Sequence, residues 1–226
     1  MTRADLVLLS GGLDSTTALA VSASNGYATR CVSVDYGQRH RRELLAAAAI
    51  AEHYDLPHHV IDLSSWGNTL KGSALTDPTT DVPDGEYSPS TLATTVVPNR
   101  NATFLMAAAG IAAATGCTHV ITATHAGDHQ LYPDCRPEFI DAARTTVEAA
   151  TEDTVTLDAP FLHRSKTAIV VKAHDYNAPI GMTWSCYKGA SHHCGTCSTC
   201  IERRNAFQSA GVADPTTYTA SPEAAE

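Results

Sequence analysis

With 226 residues, 43% of them apolar and 17% charged, the chain is long enough to bury a continuous core and too apolar to remain disordered. Its net charge of −9 argues against broad capture of DNA or RNA, whose phosphates are gripped by clustered Lys and Arg. No apolar stretch approaches the roughly 20 residues of a membrane helix, and the opening residues lack a signal-peptide pattern, so no membrane or nucleic-acid partner and a cytoplasmic address are expected.

Short apolar runs alternate with helical periodicity. Leu6–Leu9 reads as a buried strand, Ser15–Asn25 as a helix stopped by Gly26, and Arg30–Val34 as the next strand. Arg42–Tyr54 follows as an alanine-rich helix and His59–Leu63 as a short strand. From Ser64 to Val97 the pattern dissolves into Gly, Pro, Asp, Ser and Thr, a loop of a length that is usually functional or mobile. Order returns with a helix over Asn101–Thr115, a strand over His119–Ala123 and a helix over Glu138–Ala150. A strand near Val155–Leu157 and a helix over Lys166–Asp175 complete the alternation, and the last dozen residues read as a loose tail. This order predicts an α/β fold, a parallel sheet of about five strands with helices on both faces. Residues 1–180 form that domain, and 181–226 form a C-terminal helical, metal-binding segment packed on it.

The segment Ser10-Gly11-Gly12-Leu13-Asp14-Ser15 joins the first strand to the first helix. Two glycines allow close backbone approach and positive φ, two serines add hydroxyls, and the helix N-terminus presents free N–H groups, an arrangement suited to phosphate. Asp14 can cap the helix or help hold magnesium. There is no lysine-containing triphosphatase loop and no G-x-G-x-x-G, so a different phosphate chemistry is indicated.

Of seven cysteines, Cys186, Cys194, Cys197 and Cys200 are spaced C-x7-C-x2-C-x2-C near the C-terminus. Four thiolates so placed suit a closed, tetrahedral, structural zinc site. An iron–sulfur cluster is the alternative, and the neighbouring His192 and His193 could replace one thiolate but are left out of the ligand set. Cys31 and Cys117 read as small core residues, and Cys135 as packing.

S-G-G-x-D-S after an opening strand resembles the loop of the N-type ATP pyrophosphatases, which split ATP between its α- and β-phosphates. Four further stretches carry a narrower resemblance: "DYGQRHRRE" at Asp35–Glu43, "VPNRNATFL" at Val97–Leu105, "YPDCRPEFI" at Tyr132–Ile140, and "SCYKG" with "CGTCSTCIERRNAF" between Ser185 and Phe207. In this order they resemble the 7-cyano-7-deazaguanine synthase family, from Leu6 to about Tyr218.

The resemblance implies a Rossmann-like ligase using ATP, structural zinc and Mg2+, with small-molecule substrates and a homodimeric assembly. Such enzymes convert 7-carboxy-7-deazaguanine and ammonia to the 7-nitrile by two adenylylations through an amide. By position, Leu8, Leu9, Ser10, Gly11, Gly12, Leu13, Asp14, Ser15 and Thr16 would hold the pyrophosphate, and Asp35 and Tyr36 would border the adenosine. Arg100 and Asn101 open a helix and would grip a carboxylate or phosphate, Asp134 would read the base edge beside Arg136, and Lys166 would face the transferring phosphoryl oxygens. Asp14, Ser15, Arg100 and Lys166 form the implied catalytic set.

The family usually carries glycine at the positions of Asn99 and Leu131. Asn tolerates positive φ, so the turn at Asn99 is expected to persist, whereas Leu131 is expected to reshape the base pocket. Offshoots that stop at the amide, or that join the deazaguanine to a macromolecule, share the same motifs. So do tRNA-modifying relatives, against which the acidic charge counts, and a non-catalytic nucleotide sensor would bind ATP without releasing AMP.

Overall fold

A computed structural model of the chain describes residues 2–88, 91, 93–130 and 132–219. The first strand, β1 (Asp5–Leu8), shows why the opening apolar run folds as it does. Leu6 and Val7 are both wholly inaccessible to solvent, yet they serve different cores on opposite faces of the sheet. A strand buried on both sides has no polar face to alternate with.

Four further strands complete a parallel sheet: β2 (Ala28–Asp35), β3 (His58–Asp62), β4 (His119–Ile121) and β5 (Thr156–Asp158). Their order is β3-β2-β1-β4-β5, with β2 and β4 the direct neighbours of β1. The helices α1 (Leu13–Ser24) and α2 (Arg42–His53) cover one face, where Val7, Leu9, Cys31 and Ile121 meet Leu19 and Ile50. After a short helix α3 (Ser64–Gly67), the helices α4 (Arg100–Thr115) and α5 (Pro137–Ala150) cover the other, where Leu6, Val32, Val120 and Leu157 meet Leu105 and Ile140. The chain moves outward from β1 through β2 to β3, then returns to the opposite side for β4 and β5. That reversal leaves a crevice at the carboxyl ends of β1 and β4, where open parallel sheets place their ligands.

The elements read from sequence recur with ends moved by at most two residues, and the helix over Lys166–Asp175 recurs unchanged. β2 begins earlier and ends later than its apolar stretch because it pairs on both edges. β4 stops at Ile121, two residues before the apolar run ends, and Thr122–His125 turn into the crevice.

The segment from Ser64 to Val97 shows no periodicity, yet among its described residues Ala74, Leu75, Val82 and Val97 are buried. Asp84 bridges to Cys197, so this stretch packs on the C-terminal segment. Leu131 and the end of the tail, 220–226, lie outside the described residues.

The helices α6 (Lys166–Asp175) and α7 (Ser198–Ala210) pack on α1 through Leu13, Ala20, Val170, Ala173, Ala206 and Phe207. Arg203, 1% exposed, ties α7 to the preceding loop by donating to Thr183 Oγ1 at 2.8 Å and Ser185 Oγ at 3.1 Å. Among the described residues no helix is long and apolar enough to cross a membrane.

Candidate active site

The crevice encloses about 240 Å3. At one end lies the glycine loop. Gly12 is the extended residue before α1, with φ −82° and ψ 169°. Ser15 Oγ accepts the Ser10 N–H at 3.1 Å and lies 3.0 Å from Ser10 Oγ, closing the loop across the helix N-terminus. Gly11 has φ +81°, and a Cβ there would meet the Glu43 carbonyl oxygen at 2.1 Å. The loop therefore lies directly on the start of α2, and only glycine permits it. Trp184 N–H donates to Gly11 O at 2.9 Å, which fastens the C-terminal segment to the same loop.

In the first turn of α1, Asp14 Oδ2 accepts from Lys166 Nζ at 2.6 Å. Ser165 caps α6 by accepting the Ala168 N–H, so the helix start aims Lys166 at the loop. Glu202 Oε2 from α7 stands 3.6 Å from the same ammonium. Burial alone would raise the Asp14 carboxyl, but the Lys166 ammonium outweighs it and holds the group below its ordinary range. Burial would lower Lys166, yet Asp14 and Glu202 raise it. Both are therefore ionised at neutral pH.

The other end is aromatic and basic. The Arg100 guanidinium lies 5.9 Å from the Tyr36 ring and 5.8 Å from the Tyr132 ring. Tyr87 and Tyr187 close the wall with hydroxyls 3.4 Å apart. Among the described residues no carboxylate lies within ion-pair distance of Arg100, so its fork is open to an incoming anion. Along the side wall, His40 Nε2 faces Glu43 Oε2 at 3.1 Å and its ring tilts against Tyr187.

The residues expected from sequence divide. Leu8, Leu9, Ser10, Gly12, Leu13, Asp14, Ser15, Tyr36, Arg100, Asn101 and Lys166 line the crevice, whereas Gly11, Thr16, Asp35, Asp134 and Arg136 stand outside its lining. Asp35 ion-pairs with Arg41 and accepts the Gly37 N–H at 3.0 Å, holding the turn after β2. Asp134 Oδ2 accepts the Asn101 N–H at 2.7 Å and so serves the start of α4. Arg136 is exposed and donates to His129 O at 3.1 Å. Cys135, beside them, does line the crevice, with a thiol that burial keeps protonated.

The sequence reading passed over His125, Asp128 and Glu202, which the fold carries to the loop from distant segments. It also passed over Tyr87, Tyr132 and Tyr187; the last two lie inside the motifs quoted above, and their presence there was the available signal.

Two groups beyond the protein can be tested against these residues. Asp14 Oδ1 is buried and lacks a hydrogen-bond partner among the described residues, a free hard oxygen of the kind that magnesium takes. The sulfurs of Cys186, Cys194, Cys197 and Cys200 all lie within 4.8 Å of one another, and backbone N–H groups of Cys194, Thr196 and Cys197 point at them. This four-sulfur set is compatible with zinc. His193 is turned away: its Nε2 accepts the Ser185 N–H at 3.1 Å and its ring stacks on Trp184.

The chain matches the family "Queuosine biosynthesis protein QueC" over residues 4–211. It is 51% identical over 215 residues to the 7-cyano-7-deazaguanine synthase of Brucella anthropi, covering 94% of this chain and 92% of the relative. The protein of the same name from Paracoccus denitrificans is 50% identical over the same shares. Among solved structures, NMN synthetase from Francisella tularensis is similar at 14% identity with a TM-score of 0.49, over 84% of this chain and 68% of that one, too distant to bear on function. Motifs spread across the whole crevice, matched end to end at half identity, place this chain in the QueC family of queuosine biosynthesis proteins.

Proposed function

We propose that the chain is an AMP-forming, carbon–nitrogen-bond-forming ligase that converts 7-carboxy-7-deazaguanine, ammonia and ATP to 7-cyano-7-deazaguanine. One observation carries the reading. A single crevice joins a glycine loop and Lys166 at one end to an Arg100 fork that has no carboxylate partner among the described residues at the other.

The chemistry suits that polarity. Oxide is a poor leaving group and AMP a good one, so the carboxylate must be activated twice. A carboxylate oxygen attacks the α-phosphorus of ATP, the bond to the β-phosphate oxygen breaks, and pyrophosphate leaves. Ammonia then adds to the carbonyl carbon, loses a proton, and AMP departs with the acyl oxygen to leave the amide. The amide oxygen attacks a second ATP in the same way. Loss of the remaining N–H protons and of AMP yields the nitrile, with two AMP and two pyrophosphate formed for each turnover.

The residues have distinct work in this scheme. N–H groups at the start of α1 and the Lys166 ammonium take up the charge that builds on the departing pyrophosphate. Asp14 holds Lys166 in place and, through Oδ1, would hold magnesium, which supplies charge neutralisation on the phosphates. Tyr36 borders the nucleotide. Arg100 and Asn101 grip the carboxylate, while the tyrosines exclude water and offer flat faces to the deazapurine. Asp134 and Arg136 support this end from behind by fixing the start of α4 and the loop before α5.

Around this core we place a structural zinc in the 181–226 segment, the 1–180 segment as the catalytic domain, a homodimeric assembly and a cytoplasmic address. The deciding experiment incubates the full chain with the 7-carboxylate, ammonium and MgATP. Two AMP per molecule of product, with the mass of the nitrile, is the expected result. ADP in place of AMP, or a product that stays at the amide, overturns the reading.

A further inference from the structure

We propose that His125 is a phosphate-binding residue of this crevice, donating its Nε2–H to the polyphosphate held at the glycine loop. The proposal rests on the reading of that loop above and adds a residue to its site.

The ring is fixed from several sides. His125 follows β4 and opens a short 3-10 turn, Ala126–Asp128. Its Nδ1 accepts the Gly127 N–H at 3.0 Å, and Asp128 Oδ2 accepts the His125 N–H at 3.2 Å, a reciprocal cap. Gly127 packs on the ring so closely that a Cβ there would meet Cε1 at 2.8 Å. Ala126 N–H donates to Arg164 O at 3.0 Å, which ties the turn to the loop that delivers Lys166. The two side chains are thus aimed by one local frame.

An imidazole that accepts at Nδ1 carries its proton at Nε2. That N–H has no hydrogen bond among the described residues. It faces Asp14 Oδ2 at 3.8 Å and Asp128 Oδ2 at 3.6 Å, both beyond bonding range. The residue is only 2% exposed and lines the crevice, so a side chain held almost wholly inside the protein presents an unspent donor to the site.

Charge says what the donor meets there. Asp14, Asp128 and Glu202 gather three carboxylates at the loop around the Lys166 ammonium, with the Arg203 guanidinium also acting on Asp14. A polyphosphate entering such surroundings needs every donor that faces it. Capping alone explains Nδ1 and leaves Nε2 without a purpose; a phosphate oxygen between the ring and Lys166 uses both nitrogens.

The two nitrogens can be separated by substitution. H125N keeps an acceptor near Nδ1 and removes the distal donor, whereas H125Q places an amide N–H near Nε2. The measurement is the affinity of the full chain for inorganic pyrophosphate with magnesium, by calorimetry, beside a thermal melt. H125N is expected to bind about tenfold more weakly, the factor a hydrogen bond to a charged group carries, and H125Q to recover most of the loss. Affinity equal to wild type in H125N, or an equal loss in both variants, overturns the proposal. If H125N melts early, H125S, which keeps a capping oxygen, carries the same comparison. ADP release by the wild type would overturn the nitrile reading while leaving these affinities to decide the role of His125.

Discussion

Lys166 Nζ lies 2.6 Å from Asp14 Oδ2, across 152 positions of sequence, and this contact joins the start of α6 to the start of α1. K166M leaves Asp14 beside Glu202 with no lysine between them. The side chains are 17% and 23% exposed, so the stability loss is set at about 2 kcal/mol, below the ~3–5 kcal/mol of a fully buried pair. Turnover should fall far more, by about 10²–10³-fold, the cost of losing one preorganised charge on the departing pyrophosphate. Urea melts together with AMP release check both numbers; a variant crippled only in proportion to its stability would contradict the role.

The same pair sets a pH window. Asp14 is held below its ordinary 3.8, so its contribution to stability is complete above that value and is lost as pH falls through the folded value. Lys166 is raised above its ordinary 10.5, so its contribution is complete below 10.5 and is lost as pH rises beyond it. The difference in melting temperature between wild type and D14N should therefore be flat from about pH 5 to 9 and shrink below 3.8. A gap that changes through neutral pH would show that the pair titrates there.

Two adjacent glycines should respond oppositely to alanine. G11A drives a methyl into the Glu43 carbonyl at 2.1 Å and strains a φ of +81°, so α2 must move and stability should drop by about 2 kcal/mol or more. G12A meets nothing nearer than Ser10 Oγ at 3.3 Å, at a φ of −82° that any residue adopts. It should fold normally and lose affinity for MgATP, because its methyl lies at the mouth of the phosphate loop. Melting curves and nucleotide titrations separate the two; equal melts would refute the packing argument for Gly11.

What the sequence reveals and what it conceals follow from the range of each interaction. The glycine loop and the four cysteines are legible because their partners are a few residues away. Asn99 is legible too: the expected positive φ is found at +58°. The role proposed for Asp134 from its motif looked only at residue type, and the start of α4, which uses that carboxylate, lies 33 positions earlier. His125 and Asp128 meet the loop because the parallel crossover sets β4 beside β1, and Glu202 because α7 packs with α6 on α1. Tyr87 comes from a stretch with no periodicity at all, since a segment packed irregularly on a knuckle repeats nothing that a helix or strand would repeat.

Arg100 should decide which substrate is bound more than how stable the chain is. R100K keeps the charge but loses the planar fork, and should raise KM for the 7-carboxylate about tenfold or more while changing KM for ATP little. R100M should be worse on the same axis. Since no carboxylate partners Arg100 among the described residues, neither change strands a buried acid, and both should melt closer to wild type than K166M does. A rise confined to KM for ATP would instead place Arg100 on the nucleotide.

The cysteine knuckle and the crevice share residues. Tyr187 follows Cys186 directly, Thr199 and Glu202 surround Cys200 on α7, and all three face the crevice. Closing the four sulfurs on one ion therefore also positions part of the site, and a metal of this kind contributes about 10–16 kcal/mol in isolated zinc-finger peptides. Metal analysis should find one zinc per chain, C200S should lose it, and C117S, buried in the sheet core, should keep it. In a W66F background Trp184 alone reports on the knuckle, and its emission should shift as a chelator strips the metal, together with weakened binding of the 7-carboxylate. Removal of zinc with Trp184 emission and substrate affinity both unchanged would sever the knuckle from the site, and iron with visible absorbance in the purified chain would replace zinc in the assignment.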